Sequence, residues 1–428
     1  MRAGFLTVDI TPACAIPLAG YAARKNPFAR VDSPLEANLV VLADGDGIPV
    51  VLGSLDTLFI GETTVEAIAA EAGIPRSRLL LVSTHTHNAP SLAPEVPRLG
   101  RHDAAYGEMV IRRVGGAIRQ LAGGWTNSVS VGHARQAAPF NINRRRPAWM
   151  LDYGALRRER RWRFGKSIAL APHRAGPIER TLQSIVMRDG LGRIRAILWS
   201  FPCHPAFYPF PDHVSADFPG TVRAHLRETL GTTCPVIYLP GLAGSAIPDI
   251  SFPVPRSFGD LIRIALPFNP ILPWFTPATY RAWTGRIGAA ATACVHAARP
   301  TRSEEMVIHR SARSSPVFVT RPPGGRPDIA LDVMRLDFGD ACGIVAMTGE
   351  MIGEWAPRLP SLLSERRIAT GYLAGPCLYV PTDGAVQEGG YEADRFRDLF
   401  DLNGNFAADL DRSVLHAISC LFSGAGHS

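Results

Sequence analysis

The chain has 428 residues, 46% hydrophobic and 19% charged, with 40 glycines and 36 prolines spread along it without a period. That composition can bury a large core and excludes an intrinsically disordered or collagen-like chain. The formal charge of +7 is almost all arginine, with lysine only at Lys25 and Lys166; no zinc-finger or other nucleic-acid signature accompanies it, so no nucleic-acid partner is expected.

Taken in chain order, Met1–Asp9 shows no long apolar core after a positive start, so no secretory leader is expected. No later run reaches the ~18 apolar residues of a membrane span. The cysteines number seven, odd and scattered, with no C-x-x-C pair. A reduced, cytoplasmic chain is the expectation. Leu39–Leu42 and Val50–Leu52 flank an Asp-Gly-Asp-Gly turn and read as a hairpin. Thr63–Ala72 has helical spacing, and Pro75 separates it from a buried strand at Arg78–Ser83. A helix is expected over 104–123, and strands at Val129–His133, Ser184–Met187 and Ala196–Phe201. Ser215–Leu230 reads as a helix, Val236–Leu239 as a buried strand and 284–298 as an alanine-rich helix. Val333–Phe338 and Gly343–Met347 read as a strand pair, and Asp409–Phe422 as an amphipathic helix.

Two stretches stand apart. Residues 144–166 form the most basic segment, a basic insertion with two tryptophans and a tyrosine. Residues 251–283 are rich in Phe, Pro, Ile and Trp without helical or strand regularity. That second stretch is read either as a packed insertion or as an apolar lid over a pocket, with Phe268, Trp274 and Phe275 as candidate wall residues.

The sharpest local signal is Leu79–Pro90, where a buried strand runs into His85-Thr86-His87. Alternation along a strand would point both histidines into one cavity at its carboxyl end. Trp199–Pro205 places His204 where another apolar run stops, and Gly343–Glu350 ends a third in a carboxylate. Two imidazoles and a carboxylate at strand ends suit a borderline-soft metal ion, although each histidine alone is as easily structural.

These motifs resemble the neutral (non-lysosomal) ceramidase family, in the right order over most of the chain. The resemblance rests on Ala3-Gly4-Phe5, Asp9-Ile10-Thr11-Pro12 and Pro17–Tyr21; on Ser83–His87; and on His204-Pro205 with Val214–Gly220. It continues in Gly349-Glu350, Tyr379–Thr382 and Tyr391–Ala393. It implies an α/β, mixed-sheet catalytic domain with loop insertions, spanning 1–428 as a single unit without the family's C-terminal immunoglobulin-like domain. It also implies one zinc ion per chain, with ligands at His85, His204, Glu350 and Tyr379, and with His87 and Tyr391 facing the site without binding metal. A phenol is an unusual ligand, but a neighbouring zinc ion favours its phenolate. One departure matters: in Gly241–Pro248 the family's serine falls on Ile247, and Ser245 takes the preceding polar position, as a displaced polar group or as a turn residue.

The expected activity is zinc-dependent hydrolysis of an amide, with an N-acyl, lipid-like small molecule as substrate and with His87, Tyr391 and Ser245 as candidate catalytic residues. Alternatives are an ester or lactone substrate, amide formation in a biosynthetic pathway, a zinc-binding module without catalysis, and a serine hydrolase using Ser245. The last lacks a Gly-x-Ser-x-Gly elbow. Peripheral membrane contact fits a lipid-like substrate; oligomeric state is not legible.

Overall fold

Strands buried on both faces need cover on both sides, and the chain supplies it in four layers. The computed structural model describes all residues except 23, 44–46, 122–124, 127, 152–159, 161–163, 251–257, 259–271, 273, 302–306, 322–326 and 424–428. In chain order, β1 (Ala3–Asp9), β2 (Glu36–Leu42) and β3 (Val50–Leu55) lead to helix α1 (Glu62–Ala72), β4 (Leu79–Ser83) and helix α2 (Ala104–Gln120). There follow β5 (Ser130–Ala137), β6 (Asn141–Leu151), β7 (Phe164–His173), β8 (Thr181–Arg188), β9 (Ile194–Ser200), α3 (Asp217–Leu230), β10 (Val236–Leu239) and β11 (Ala246–Pro248). After α4 (Pro277–Ala297) come β12 (Pro300–Thr301), β13 (Val307–Arg313), β14 (Asp332–Phe338), β15 (Cys342–Thr348), β16 (Glu350–Met351), β17 (Arg367–Leu373), β18 (Tyr379–Val380) and α5 (Leu410–Cys420).

An eight-stranded sheet has the order β1-β2-β3-β4-β17-β15-β14-β13, and a five-stranded sheet the order β10-β9-β8-β5-β12. Both mix parallel and antiparallel pairs: β3–β4 and β15–β17 are parallel, whereas β2–β3 and β14–β15 are antiparallel. Alternate residues of β4 divide between two cores. Leu80 and Val82 meet Ile185, Leu198 and Ile237 of the second sheet, while Leu79 and Leu81 meet Val65, Ile68, Val110 and Val114 of α1 and α2. The far face of the second sheet is covered by α3 and α4 through Phe218, Trp283 and Ile287. The hairpin expected at 39–52 is the β2–β3 pair, though turn residues 44–46 lie outside the described residues.

Helix α4 starts seven residues before the expected 284. Thr276 caps it in a reciprocal box with Thr279, and Pro277 fills the first turn, where its missing N–H costs nothing. The described aromatics of the 251–283 stretch therefore include core residues: Phe275, Tyr280 and Trp283 are buried, and Phe258 is exposed. Most of the expected lid, Phe252 and Phe268 included, lies outside the described residues. The basic stretch 144–166 begins and ends on β6 and β7, which pair antiparallel. Its first two arginines, Arg144 and Arg145, are buried. The described residues hold no disulfide, and none of their helices is long and apolar enough to cross a membrane.

Candidate metal and catalytic site

Three strand ends meet at one point. Strand β4 stops at Ser83, Thr84 N–H donates to the Leu55 carbonyl, and His85 turns the chain with φ of 63°. His85 and His87 do share the site, with ring centroids 5.1 Å apart. Strand alternation is not the cause, because the strand has already ended; the left-handed residue His85 re-aims the chain, a conformation uncommon outside glycine and concentrated at functional sites. His204 follows β9 and is anchored by its N–H on the Ala246 carbonyl. Gly349, at φ of 81°, precedes Glu350; a β-carbon there would stand 2.7 Å from Val380 Cγ2. Glu350 is the register partner of Tyr379 in the parallel β16–β18 pair, which sets carboxylate and phenol on adjacent strands.

The His85 and His204 Nε2 atoms lie 3.2 Å apart, and Glu350 Oε2 is 3.3 Å from the first and 4.0 Å from the second. Their Nδ1 atoms face backbone carbonyls, Leu58 at 2.8 Å and Ala243 at 3.4 Å. A carbonyl only accepts, so each Nδ1 carries a proton and each ring turns its Nε2 inward. Burial first, then Arg144, holds the His204 pKa well below the ordinary histidine value and keeps that ring neutral. Two nitrogen lone pairs and a carboxylate oxygen thus converge, an arrangement that calls for a cation. Tetrahedral bonds of about 2.0–2.1 Å put neighbouring ligand atoms ~3.3 Å apart, close to the two shorter separations, and backbone carbonyls facing Nδ1 are usual outer partners of metal-binding histidines. The residues fit a zinc-sized ion.

His87 completes a group of three histidines whose nitrogens lie within 4.8 Å of one another. Both its ring nitrogens are shielded from solvent and meet no hydrogen-bond partner among the described residues. Burial first, then the neighbouring His85, holds its pKa well below the usual value. Gly20, at φ of 102°, lets the backbone pass so close that a β-carbon there would stand 2.5 Å from the His87 ring.

The opposite wall is aromatic and cationic. Tyr379 and Tyr391 have ring centroids 5.6 Å apart, and the Arg144 guanidinium lies 5.9 and 5.8 Å from them. Arg144 Nη2 donates to the Tyr379 oxygen at 3.0 Å, and its Nε to Glu392 Oε1 at 2.8 Å. Arg145 Nη1 binds the other Glu392 oxygen at 3.1 Å. Burial, then Glu350, pushes both tyrosine hydroxyls up, while Arg144 opposes the shift. Sequence reasoning missed Arg144, Glu392 and Tyr372, whose hydroxyl donates to Glu350 Oε2 at 3.4 Å. The available signal was Asn141-Ile142-Asn143-Arg144, polar side chains in a strand flanked by core positions.

Ser245 lies elsewhere in the network. Its hydroxyl donates to Glu354 Oε2 at 2.8 Å, accepts from the Gly353 N–H at 2.8 Å and lies 3.3 Å from Asn143 Nδ2. None of these partners is a histidine. Ile247 is fully buried in the core beneath α3 and α4. A cleft of about 1300 Å³ runs between residues 17–25 and 394–405, and Arg24 in its wall donates to the Ala19 and His87 carbonyls.

No protein-family model and no curated protein matches the chain. Among solved structures it is similar to neutral ceramidase from Pseudomonas aeruginosa, with a TM-score of 0.68 and 13% identity over 100% of this chain and 75% of that one. A ceramidase complexed with C2 aligns at a TM-score of 0.65 and 13% identity over 98% of this chain and 75% of that one. The chain therefore has the neutral ceramidase fold along its whole length, a mixed-sheet α/β architecture.

Proposed function

We propose that the protein is a zinc-dependent amidohydrolase that cleaves an N-acyl, lipid-like amide. Zinc is assigned to His85, His204, Glu350 and Tyr379, one ion per chain. The observation that carries this reading is the convergence of two imidazole nitrogens and a carboxylate oxygen, 3.2, 3.3 and 4.0 Å apart, inside a fold shared with ceramidases. When bound, the metal acts as a Lewis acid and brings the pKa of a water down to ~7.

The chain's own residues supply the rest. Arg144 fixes a positive charge on the Tyr379–Tyr391 side, where it stabilises negative charge developing on an acyl oxygen. Tyr391 keeps its proton because burial raises its pKa, so it donates a hydrogen bond to the same oxygen. His87 is held neutral with both nitrogens unpartnered, so it accepts a proton from the attacking water and returns it to the leaving amine as the C–N bond breaks. Ser245, engaged by Glu354 and Gly353, holds the loop after Glu350 instead of attacking the substrate.

The test is a matched panel of substrates with one acyl chain presented as amide, ester and lactone. Preferential amide cleavage supports the proposal. Cleavage of ester or lactone alone would move the protein to a different reaction class.

A further inference from the structure

We propose that the cleft between residues 17–25 and 394–405 binds an anionic group, a phosphate or a carboxylate, on the amine part of the substrate. This rests on the amidase reading above and sets the substrate apart from a neutral acyl amide. Lys and Arg make up 45 of the 428 residues, yet seven of the eighteen that line the cleft are Lys or Arg and two are Asp. A walled cleft with an excess of one sign focuses its potential and draws in ions of the opposite sign.

The cations differ in what they face. Arg98 pairs with Asp401 at 3.3 Å and Arg397 with Asp394 at 3.8 Å. Lys25, Arg101 and Arg321 are exposed and pair with no carboxylate among the described residues. Arg24 donates to the Ala19, His87 and Pro211 carbonyls, which cancel no charge. Even with Asp398 counted, the balance stays positive. The segments that carry these groups are tied together. The Gly20 N–H donates to the Leu99 carbonyl at 2.7 Å, Arg98 Nη1 to the Asp398 carbonyl at 2.8 Å, and the Arg321 N–H to the Asn403 carbonyl at 2.9 Å. The unpaired cations therefore stand on fixed backbone around a space of about 1300 Å³, more than a lone ion needs and enough for an organic headgroup.

Position selects the amine part. One wall backs His87: the Tyr21 and His87 ring centroids are 5.0 Å apart, and Arg24 holds the His87 carbonyl. The other wall includes Arg395, which closes the short helical segment Tyr391–Arg395. Hydrolysis adds water across the C–N bond and releases a carboxylic acid and an amine. The amine leaves from the His87 side, where it takes its proton, so an anionic group on it enters the cleft beside His87. Guanidinium and ammonium groups hold phosphate and carboxylate alike, and charge is the shared feature.

The test compares three amides of one acyl chain on the zinc-loaded full chain: N-dodecanoyl ethanolamine, its phosphate ester, and N-dodecanoyl β-alanine. The wild type should cleave an anionic amide with kcat/KM at least about tenfold above the neutral one, and the advantage should shrink as salt rises. The larger advantage, phosphate or carboxylate, identifies the headgroup. Lys25→Gln with Arg101→Gln and Arg321→Gln should lower the anionic-to-neutral ratio at least about tenfold, through KM. Arg146→Gln, which removes an exposed charge outside the cleft, should leave that ratio as it was. Circular dichroism with the thermal midpoint confirms that each variant folds. Calorimetry with butyl phosphate and butyrate, which contain no amide, reads the cleft without catalysis; binding should be present in the wild type and lost in the triple variant. A wild-type ratio near one, or a ratio that the triple variant leaves unchanged, would overturn the proposal. If no amide is cleaved, the amidase reading fails, and absent or unaltered anion binding in the calorimetry then overturns this proposal as well.

Discussion

Glu392→Gln tests the buried scaffold behind the tyrosine wall. Glu392 is 1% exposed on its side chain and is shared by Arg144 at 2.8 Å and Arg145 at 3.1 Å. Breaking a buried ion pair by removing one charge costs about 3–5 kcal/mol. Arg145 keeps Glu354 at 3.3 Å and Glu388 at 3.2 Å, so the lower end is expected, ~3 kcal/mol or roughly 10²-fold in the folding constant. Arg144 keeps only the Tyr379 oxygen and loses its fixed position. Losing that charge-assisted hydrogen bond, worth about 1.5–3 kcal/mol, should cut kcat/KM by roughly 10- to 150-fold.

The pH sign follows from Glu392, whose pKa in the fold is depressed by Arg144 and Arg145 against the opposing effect of burial. Its stabilisation is full above the unfolded value of 4.5 and is lost as pH falls through the lower folded value. The gap between wild type and variant should therefore narrow in acid. Urea unfolding at several pH values and steady-state kinetics on the same preparations measure both effects. A variant as stable and as active as the wild type would refute the reasoning. A variant that loses stability but keeps kcat/KM would remove Arg144 from the chemistry.

Three further outcomes are expected. His85→Ala and His204→Ala should each lose most bound zinc, while His87→Ala should keep it and lose turnover by roughly 10²–10⁴-fold; metal analysis with kinetics checks this, and zinc loss in His87→Ala would make it a ligand. Ser245→Ala should lower stability by about 1–3 kcal/mol, because the Gly353 N–H and Glu354 lose their partner, while zinc stays bound; abolished turnover in a stable, zinc-loaded variant would favour the serine mechanism. Asp217 is buried, and that burial raises its pKa from 3.8 to about 6, so the fold holds its proton better than the unfolded chain does. Its contribution is full below 3.8 and is lost as pH rises through about 6, a change of ~3 kcal/mol that Asp217→Asn should remove; a variant-to-wild-type stability difference flat from pH 4 to 6 would contradict it.

Much of this fold was legible because its strands are short apolar runs closed by clear breaks. Leu79–Ser83, Ile194–Ser200 and Cys342–Thr348 are such runs, and each leads to a residue of the candidate metal site. Histidines and a carboxylate at strand ends are local patterns, so they show in sequence. The Arg144–Glu392 pair is not local: its members are 248 positions apart and meet only when β6 packs on the short helical segment Tyr391–Arg395. Nothing around Tyr372 in the sequence marks it out, yet its φ of 63° breaks the pleat beside the site. The start of α4 was legible in Thr276-Pro277 but was masked by the density of aromatic residues around it.

The central claim is that these strand ends hold one zinc ion for amide hydrolysis. The most direct measurement strips the protein with a chelator, returns zinc in steps, and follows amine released from an N-acyl sphingoid amide against zinc bound. Hydrolysis should vanish on stripping and return in proportion to zinc, saturating at about one ion per chain. Full hydrolysis by the stripped, metal-free protein would contradict the claim.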